Sequence, residues 1–317
     1  MTILRSLQRR KTLCPGKMRI THFLLCGLLV TVGGVAARAG GKQQVVAVPF
    51  EFYRNEIIVQ VKVNGKGPFN MMLDTGTDPS AVDLATARDM GLKLHSLGKP
   101  GSGGGTDVNL TYYTELPLVE VGDLKVKTVA ALALDLSKIS ERLGKPLHGV
   151  LGHSLLNGRV VQIDYPNRTV RFYSQPLFSK TANTPKRTML SFRYADNVLI
   201  DDVLVNGKKV VGNLDTGSSG TFNLTPAAVS YLGLDDDFNR APISTDVGYN
   251  GVSQNRKGKV NGVTIGAISV DAPAVIFFAK GSGRDKKPWG INIGNGFFKD
   301  FVMTIDYRNK LVTLERP

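Results

Sequence analysis

The pattern of hydrophobic and polar positions predicts short β-strands along most of the chain, and no long stretch has helical periodicity. Segments 57–63 and 198–205 are rich in β-branched residues, which favour strands. Each segment ends in an Asn-Gly pair, at Asn64-Gly65 and at Asn206-Gly207. Both residues of such a pair tolerate the positive φ that a tight hairpin requires. The pattern therefore predicts an all-β fold in which hairpins recur.

Helices are predicted to be few and short. Asp83 is a candidate N-cap for a helix over 84–90 that Gly91 ends, and Thr225 is a candidate N-cap for a helix that Gly233 ends. Pro226 stands at the first helical position of the second one, where its missing N–H costs nothing. Further strands are predicted at 160–163, 170–173, 301–305 and 311–314.

The chain contains two copies of one unit. Asp74-Thr75-Gly76 recurs 141 residues later as Asp215-Thr216-Gly217. The same offset, 141 or 142 residues, relates Asn64-Gly65 to Asn206-Gly207, Gly91-Leu92 to Gly233-Leu234, Gly152 to Gly294, and Asp164-Tyr165 to Asp306-Tyr307. A period this long indicates a duplicated domain, not a solenoid. Two such lobes are expected to be related by a pseudo-twofold axis, which brings equivalent residues together, so Asp74 and Asp215 are predicted to meet.

The first 39 residues have the features of a secretory leader. They contain seven Lys or Arg and no acid, then an apolar stretch from Phe23 to Ala37, then the small-x-small signal Ala37-Arg38-Ala39. The apolar stretch is short for a membrane span of about 20 residues. We therefore expect a signal peptide over 1–39, an exported protein that is periplasmic or secreted, and no stable membrane insertion after cleavage. Met1 and Met18 both remain possible start sites.

Charge and cysteine content exclude several classes of function. Both cysteines, Cys14 and Cys26, lie in the leader, so disulfides, thiolate metal sites and a cysteine nucleophile are excluded from the remainder. The net charge of +14 falls to +7 without the leader, and the basic residues are scattered, so no nucleic-acid partner is expected. His95, His148 and His153 could suggest a metal site, but no Asp or Glu stands at ligand spacing near His148 and His153, so we expect no metal and no cofactor. The protein is expected to be a monomer.

Two facing aspartates have a defined chemistry. Carboxylates within hydrogen-bonding distance share one proton, so one acts as a base and the other as an acid. A water held between them can attack an amide carbonyl without a covalent intermediate. Gly76 and Gly217 allow the tight turns, and the hydroxyls of Thr75 and Thr216 can bond across the pseudo-twofold axis.

The residues that follow the triplets are predicted to tune this pair. Thr77 and Ser218 are placed to donate to the outer carboxylate oxygens, which would lower a pKa and favour an acidic to mildly acidic optimum. Asp78 adds a charge that either faces solvent, as Pro79 suggests, or raises the pKa of the pair.

The chain resembles the aspartic proteases of the pepsin and retropepsin superfamily, in the form that carries both lobes on one polypeptide. The resemblance covers about 45–317 and rests on the two Asp-Thr-Gly-(Ser/Thr) sites and on the glycine signatures at 150–152 and 291–294. It implies a bilobal all-β acid protease fold of two barrel-like lobes with short helices. It also implies a first lobe over 45–175, a linker over 176–188 and a second lobe over 189–317, with Asp74 and Asp215 as the catalytic dyad.

The family closes its groove with hairpin flaps, which pair with an extended peptide as an added strand does. Candidates are Gly103, Gly104 and Gly105 in the first half and Tyr249, Asn250 and Gly251 in the second, although these glycine-rich segments also fit ordinary surface loops. The function implied is an endopeptidase acting on extended peptides or unfolded proteins. The alternative is an envelope peptide-binding protein that keeps the groove but turns over poorly.

Overall fold

The computed structural model describes residues 44–100, 109–175 and 183–317. Strands dominate. The first half contains strands β1 Val45–Pro49, β2 Glu51–Tyr53, β3 Glu56–Val63, β4 Lys66–Leu73, β5 Ser80–Asp83, β6 His95–Pro100, β7 Leu110–Val121, β8 Leu124–Leu134, β9 Gly149–Leu151, β10 Val160–Asp164 and β11 Thr169–Tyr173. Its helices are α1 Leu84–Asp89, α2 Ser137–Leu143 and α3 His153–Leu156.

The second half repeats this plan. Its strands are β12 Arg187–Tyr194, β13 Val198–Val205, β14 Lys208–Leu214, β15 Phe222–Leu224, β16 Ile243–Gly248, β17 Gly251–Lys259, β18 Gly262–Ile265, β19 Ile268–Asp271, β20 Ala274–Phe277, β21 Ile291–Ile293, β22 Val302–Asp306 and β23 Leu311–Glu315. Its helices are α4 Pro226–Leu232, α5 Asp235–Arg240 and α6 Asn295–Phe298. The predicted all-β, two-lobed architecture with short helices is confirmed.

The local signals act as the sequence predicts. Asn64 and Gly65 have φ of 51° and 77°, and Asn206 and Gly207 have 51° and 76°, so each pair forms the tight turn of a hairpin. The side chain of Asp83 caps α1 by accepting from the N–H of Thr86. Thr225 caps α4 in the same way, and Gly233 ends that helix in the left-handed conformation.

Six strands, half of them from each lobe, form a shared region of sheet in the order β1-β11-β10-β22-β23-β12, and the sheet continues into the second lobe through the pairing of β12 with β13. The strands β10 and β22 pair antiparallel at its centre, where Gln162 stands opposite Thr304 and donates to its hydroxyl at 3.1 Å. These two residues are related by the 142-residue offset, so the pseudo-twofold axis passes between them. The main apolar core is continuous between the lobes along one face of this sheet, where it includes Ile163 from one lobe and Ile305 from the other.

Each lobe then folds its remaining strands into a curved sheet. The first lobe has the order β2-β3-β4-β9-β5-β8-β7-β6, and an added pairing of β3 with β7 curves it back on itself. In both lobes the aspartate follows a strand that pairs in parallel with the strand of the glycine signature: β4 with β9, and β14 with β21. Parallel neighbours carry their C-terminal ends to the same edge, which places both Asp-Thr-Gly loops at one edge of each sheet.

Several expectations concern residues outside those described. The predicted signal peptide over 1–39, the flap candidates Gly103 to Gly105 and the linker residues 176–182 lie outside the described ranges. The last residues of the predicted linker, from Arg187, are already part of β12. No helix in the described part of the chain is long and apolar enough to cross a membrane.

Candidate active site

Two Asp-Thr-Gly loops meet at the interface between the lobes. The N–H of Asp74 donates to the carbonyl of Leu151 at 3.0 Å, and the N–H of Asp215 donates to the carbonyl of Ile293 at 2.9 Å. Each loop is therefore anchored to the glycine-signature strand of its own lobe. Because these two backbone hydrogen bonds are equivalent, the two aspartates occupy equivalent positions about the pseudo-twofold axis.

The threonines of the two loops interlock. The hydroxyl of Thr75 donates to the carbonyl of Leu214 at 2.7 Å and accepts from the N–H of Thr216 at 3.1 Å. The hydroxyl of Thr216 donates to the carbonyl of Leu73 at 2.8 Å and accepts from the N–H of Thr75 at 3.1 Å. Both side chains are buried, so the four bonds form away from water and fix the spacing of the loops.

The glycines let the carboxylates approach each other. The N–H of Gly76 donates to Oδ1 of Asp74 at 2.7 Å, and the N–H of Gly217 donates to Oδ1 of Asp215 at 3.0 Å. A Cβ on Gly76 would lie 2.7 Å from Oδ1 of Asp215, and a Cβ on Gly217 would overlap the carboxylate of Asp74. Each carboxylate is therefore packed against the glycine of the opposite loop, which places the two acids face to face.

The buried environment of Asp74 favours its protonated form. Burial and the neighbouring charge of Asp215 raise the pKa of Asp74 to about 7, although hydrogen bonds from Thr77 and Gly76 act to lower it. The expectation that hydrogen bonds to the carboxylate dominate its pKa is therefore wrong for Asp74. A carboxyl that keeps its proton near neutrality is suited to the acid member of an acid–base pair.

The comparison with known proteins agrees with this geometry. A family model described as aspartyl protease matches residues 59–155 and 202–293, more than half of the chain. The chain belongs to the aspartyl protease family. The two matched segments fit a two-lobed protease of the pepsin and retropepsin type. A search of curated proteins finds no significant match.

The outer oxygens of the two aspartates have different donors in this aspartyl protease. The hydroxyl of Thr77 donates to Oδ2 of Asp74, as the sequence predicts. At Asp215 the prediction for Ser218 is wrong: Oδ2 accepts from Nδ2 of Asn292 at 2.8 Å, and Ser218 accepts a bond from Asn223 at 3.3 Å. The reason is that Asn292 lies on β21, directly beside the loop, and its amide reaches the carboxylate first.

Asn292 belongs to a polar pair that sequence reasoning did not assign to the site. Its Oδ1 accepts from Nδ2 of Asn213 at 2.6 Å, and both residues are buried. The corresponding positions in the first lobe are Met72 and Val150, which lie in an apolar cluster. The sequence repeat could have indicated this pair. Aligning the two halves places two asparagines in the second lobe at strand positions that are apolar in the first lobe.

An ion pair with a buried carboxylate lies in the same part of the lobe interface. Glu56 is fully buried, and its Oε1 accepts from Nη2 of Arg142 at 2.7 Å. Burial raises the pKa of Glu56 to about 8, against the opposing effect of Arg142. Arg142 also donates to the hydroxyl of Ser219 at 3.4 Å and so bridges the lobes. Neither residue stands in a motif, so the sequence held no signal for this pair.

Both aspartates line one cleft of about 540 Å³. The flap candidate Tyr249 lies at the tip of the hairpin formed by β16 and β17 and lines this cleft. Its hydroxyl is 3.1 Å from that of Thr111, and its carbonyl accepts from Asn109 at 3.1 Å. The tip, with Asn250 and Gly251, thus reaches from the second lobe to β7 of the first.

The other polar residues named from the sequence have structural partners. Asp78 is exposed, accepts from the hydroxyl of Tyr194 at 2.9 Å and lies 3.5 Å from Nδ1 of His153. It is not among the groups that shift the pKa of Asp74. His148 accepts from the N–H of Asn70. The described residues contain no cluster of three His, Cys, Asp or Glu that could hold a metal.

Proposed function

We propose that this protein is an endopeptidase that hydrolyses peptide bonds with a water held between Asp74 and Asp215. The observation that carries the proposal is the pair of carboxylates packed against each other's loops and locked by Thr75 and Thr216. A binding protein that only keeps the groove does not need acid–base groups in both halves.

The raised pKa of Asp74 and the amide donor beside Asp215 assign the roles. Asp74 holds the shared proton and donates it to the oxygen of the scissile carbonyl. Asp215, whose outer oxygen accepts from Asn292, is the base that removes a proton from the water. The hydroxide attacks the carbonyl carbon and gives a tetrahedral diol. Asp215 then passes its proton to the leaving nitrogen, the C–N bond breaks, and Asp74 regains a proton from the diol.

The groove has the features that an extended peptide requires. The hairpin of β16 and β17 lies over the cleft, and its backbone can pair with a peptide as an added strand. Substrate entry requires the contacts of Tyr249 with Thr111 and Asn109 to open, since these link the hairpin to the first lobe. Closure over the peptide then excludes water from the dyad.

The test is cleavage of a peptide library by the purified protein from about pH 3 to 8. Asp74→Asn and Asp215→Asn are expected to abolish cleavage, because each removes one partner of the acid–base pair. Asp123→Asn, an exposed substitution in the turn between β7 and β8, is the matched control and should keep wild-type rates. Cleavage that persists in both dyad variants would refute the proposal.

We further propose that the protein is exported and acts in the periplasm or outside the cell. The basic, then apolar segment before Ala39 supports this. The N-terminus of the protein recovered from envelope and medium fractions is expected to begin at or near Gly40. Recovery of an uncleaved chain from the cytoplasm would contradict it.

A further inference from the structure

The segment between β20 and β21 brings three cations to the active-site cleft. Arg284, Lys286 and Lys287 all line the cavity that contains the dyad. The one acid of this segment, Asp285, is turned to its own loop, where both carboxylate oxygens accept from the N–H of Gly281 at 3.1 and 3.0 Å. The segment therefore presents basic side chains to the cleft.

These cations lack an acidic partner. Within the described ranges, no carboxylate lies within 4.0 Å of the charged nitrogens of Arg284, Lys286 or Lys287. The acids that act on Arg284 from longer range are Asp215 and Asp246, and Asp246 is already bonded by Asn255 at 2.6 Å. Asp215 and the exposed Asp196 act on Lys287.

Arg284 is held in a partly apolar setting. Its guanidinium lies 4.7 Å from the centre of the Phe278 ring, and burial lowers its pKa. A cation removed from water without a counter-charge is unfavourable, so such groups normally have an anionic partner. We therefore expect the anionic partner of Arg284 to come from a molecule that binds in the cleft.

Trp289 supplies an independent sign of a missing ligand. It lines the same cleft, packs with Phe278 and Leu199, and is only 6 % exposed. Its indole N–H, which can only donate, has no hydrogen-bond partner in the part of the chain that the structure describes. A buried donor without a partner beside unpaired cations matches the requirements of a bound anion.

The remaining walls do not offer the same chemistry. The first lobe contributes the apolar side chains of Leu132, Leu134 and Ile139, and its cation Arg142 is already paired with Glu56. Unpaired positive charge is therefore concentrated on one side of the cleft.

We propose that the basic wall, defined as Arg284, Lys286, Lys287 and Trp289, binds a carboxylate of the peptide substrate. The inference rests on the proposed peptidase function and narrows its substrate class. The carboxylate comes either from an Asp or Glu side chain near the scissile bond or from the C-terminus of a short peptide. Phosphate and nucleic acid are not required by this geometry, since one or two carboxylate oxygens suffice for the donors present.

The first test compares kcat/KM for matched peptides. Glu is replaced by Gln at each position in turn, and the C-terminus is either free or amidated. The wild-type protein is expected to prefer the peptide with the carboxylate by about ten- to a hundredfold, as for hydrogen bonds to a charged group. The Glu-to-Gln series and the free-to-amidated series separate the two sources of the carboxylate.

Two variants tie the preference to the wall. Lys287→Gln changes an exposed side chain and should reduce the preference, measured as the ratio of kcat/KM for the Glu and Gln peptides, to a few-fold. Arg284→Gln should reduce it further. Lys209→Gln, an exposed substitution outside the cleft, is the matched control and should retain the full preference. Equal cleavage of charged and neutral peptides by the wild-type protein, or a preference that survives in Lys287→Gln, would overturn the proposal while leaving the peptidase function intact.

A measurement of peptide binding tests the basic wall independently of the proposed peptidase activity. Trp289 is the only tryptophan, so its fluorescence reports directly on occupancy of the wall. The Asp74→Asn variant, which should not turn over, is titrated with the same peptides. Tighter binding of the carboxylate form supports the basic wall even if no peptide is ever cleaved. Equal affinity for both forms contradicts it.

Discussion

The interlocked threonines offer the sharpest test of how the lobes are held together. Replacing Thr216 by Val keeps the volume of the side chain but removes its hydroxyl. The carbonyl of Leu73 and the N–H of Thr75 then lose the partners they have at 2.8 and 3.1 Å. Both groups stay buried, and each unsatisfied group costs about 1–3 kcal/mol. We therefore expect the free energy of unfolding to fall by about 2–6 kcal/mol, a large share of the roughly 5–15 kcal/mol that a folded domain has.

The assay is urea denaturation of the purified protein, followed by circular dichroism and by Trp289 fluorescence, because two lobes need not unfold in one step. Thr216→Ser keeps the hydroxyl and loses one methyl, so it should cost only about 1 kcal/mol. Thr114→Val is the matched control. Thr114 is equally buried, and its hydroxyl has no hydrogen-bond partner among the described residues, so that change should be neutral or stabilising.

The double variant Thr75→Val with Thr216→Val removes all four bonds. Its cost should be less than the sum of the two single costs, because residues of one network are not independent. The reasoning is refuted if Thr216→Val unfolds within about 0.5 kcal/mol of the wild-type protein, the spread of a neutral surface change. That result would mean that the shared six-stranded region of sheet alone positions the two loops.

Three further predictions concern the site. For Asp74, the pKa of about 7 in the folded protein lies above the unfolded value of 3.8, so the folded state binds the extra proton and stability falls as pH rises between these values. The Tm of Asp74→Asn relative to the wild type should therefore increase progressively from about pH 4 to 7. Wild-type kcat/KM should decline above about pH 7. A difference in Tm that stays constant over this range would contradict the raised pKa of Asp74. Asn292→Val copies the first-lobe residue and removes the donor to Asp215, so kcat should fall about ten- to a hundredfold with a smaller change in KM. Tyr249→Phe removes the contact with Thr111, and stopped-flow mixing with peptide should show faster entry, whereas unchanged association would argue that the hairpin tip does not gate the cleft.

Local chemistry explains why much of the fold could be predicted from the sequence. Asn-Gly pairs, N-capping residues and β-branched runs act within a few residues, so the hairpins at 64–65 and 206–207 and the helices after Asp83 and Thr225 lie where they were predicted. The duplication also predicted a contact between distant residues. A constant offset implies a pseudo-twofold axis, and such an axis brings equivalent residues of the two lobes, such as Asp74 and Asp215, together.

Other features depended on contacts between distant residues. The sequence predicted Ser218 as the donor to Asp215, whereas the observed donor is Asn292, because the neighbouring strand β21 places its amide beside the carboxylate. The pair of Glu56 and Arg142, separated by 86 positions, forms only when α2 packs beside β3. Burial, which no motif encodes, turned the expected lowering of the pKa of Asp74 into a rise.

The sequence by itself determined the two-lobed plan and the identity of the two acids, since repeats and turn residues are written along the chain. Only the tertiary structure decided that burial raises the pKa of Asp74, which side chains donate to the two carboxylates, and that cations without an acidic partner among the described residues share their cleft. Those properties depend on dielectric environment and on distances across the lobe interface, and both arise only after the chain has folded.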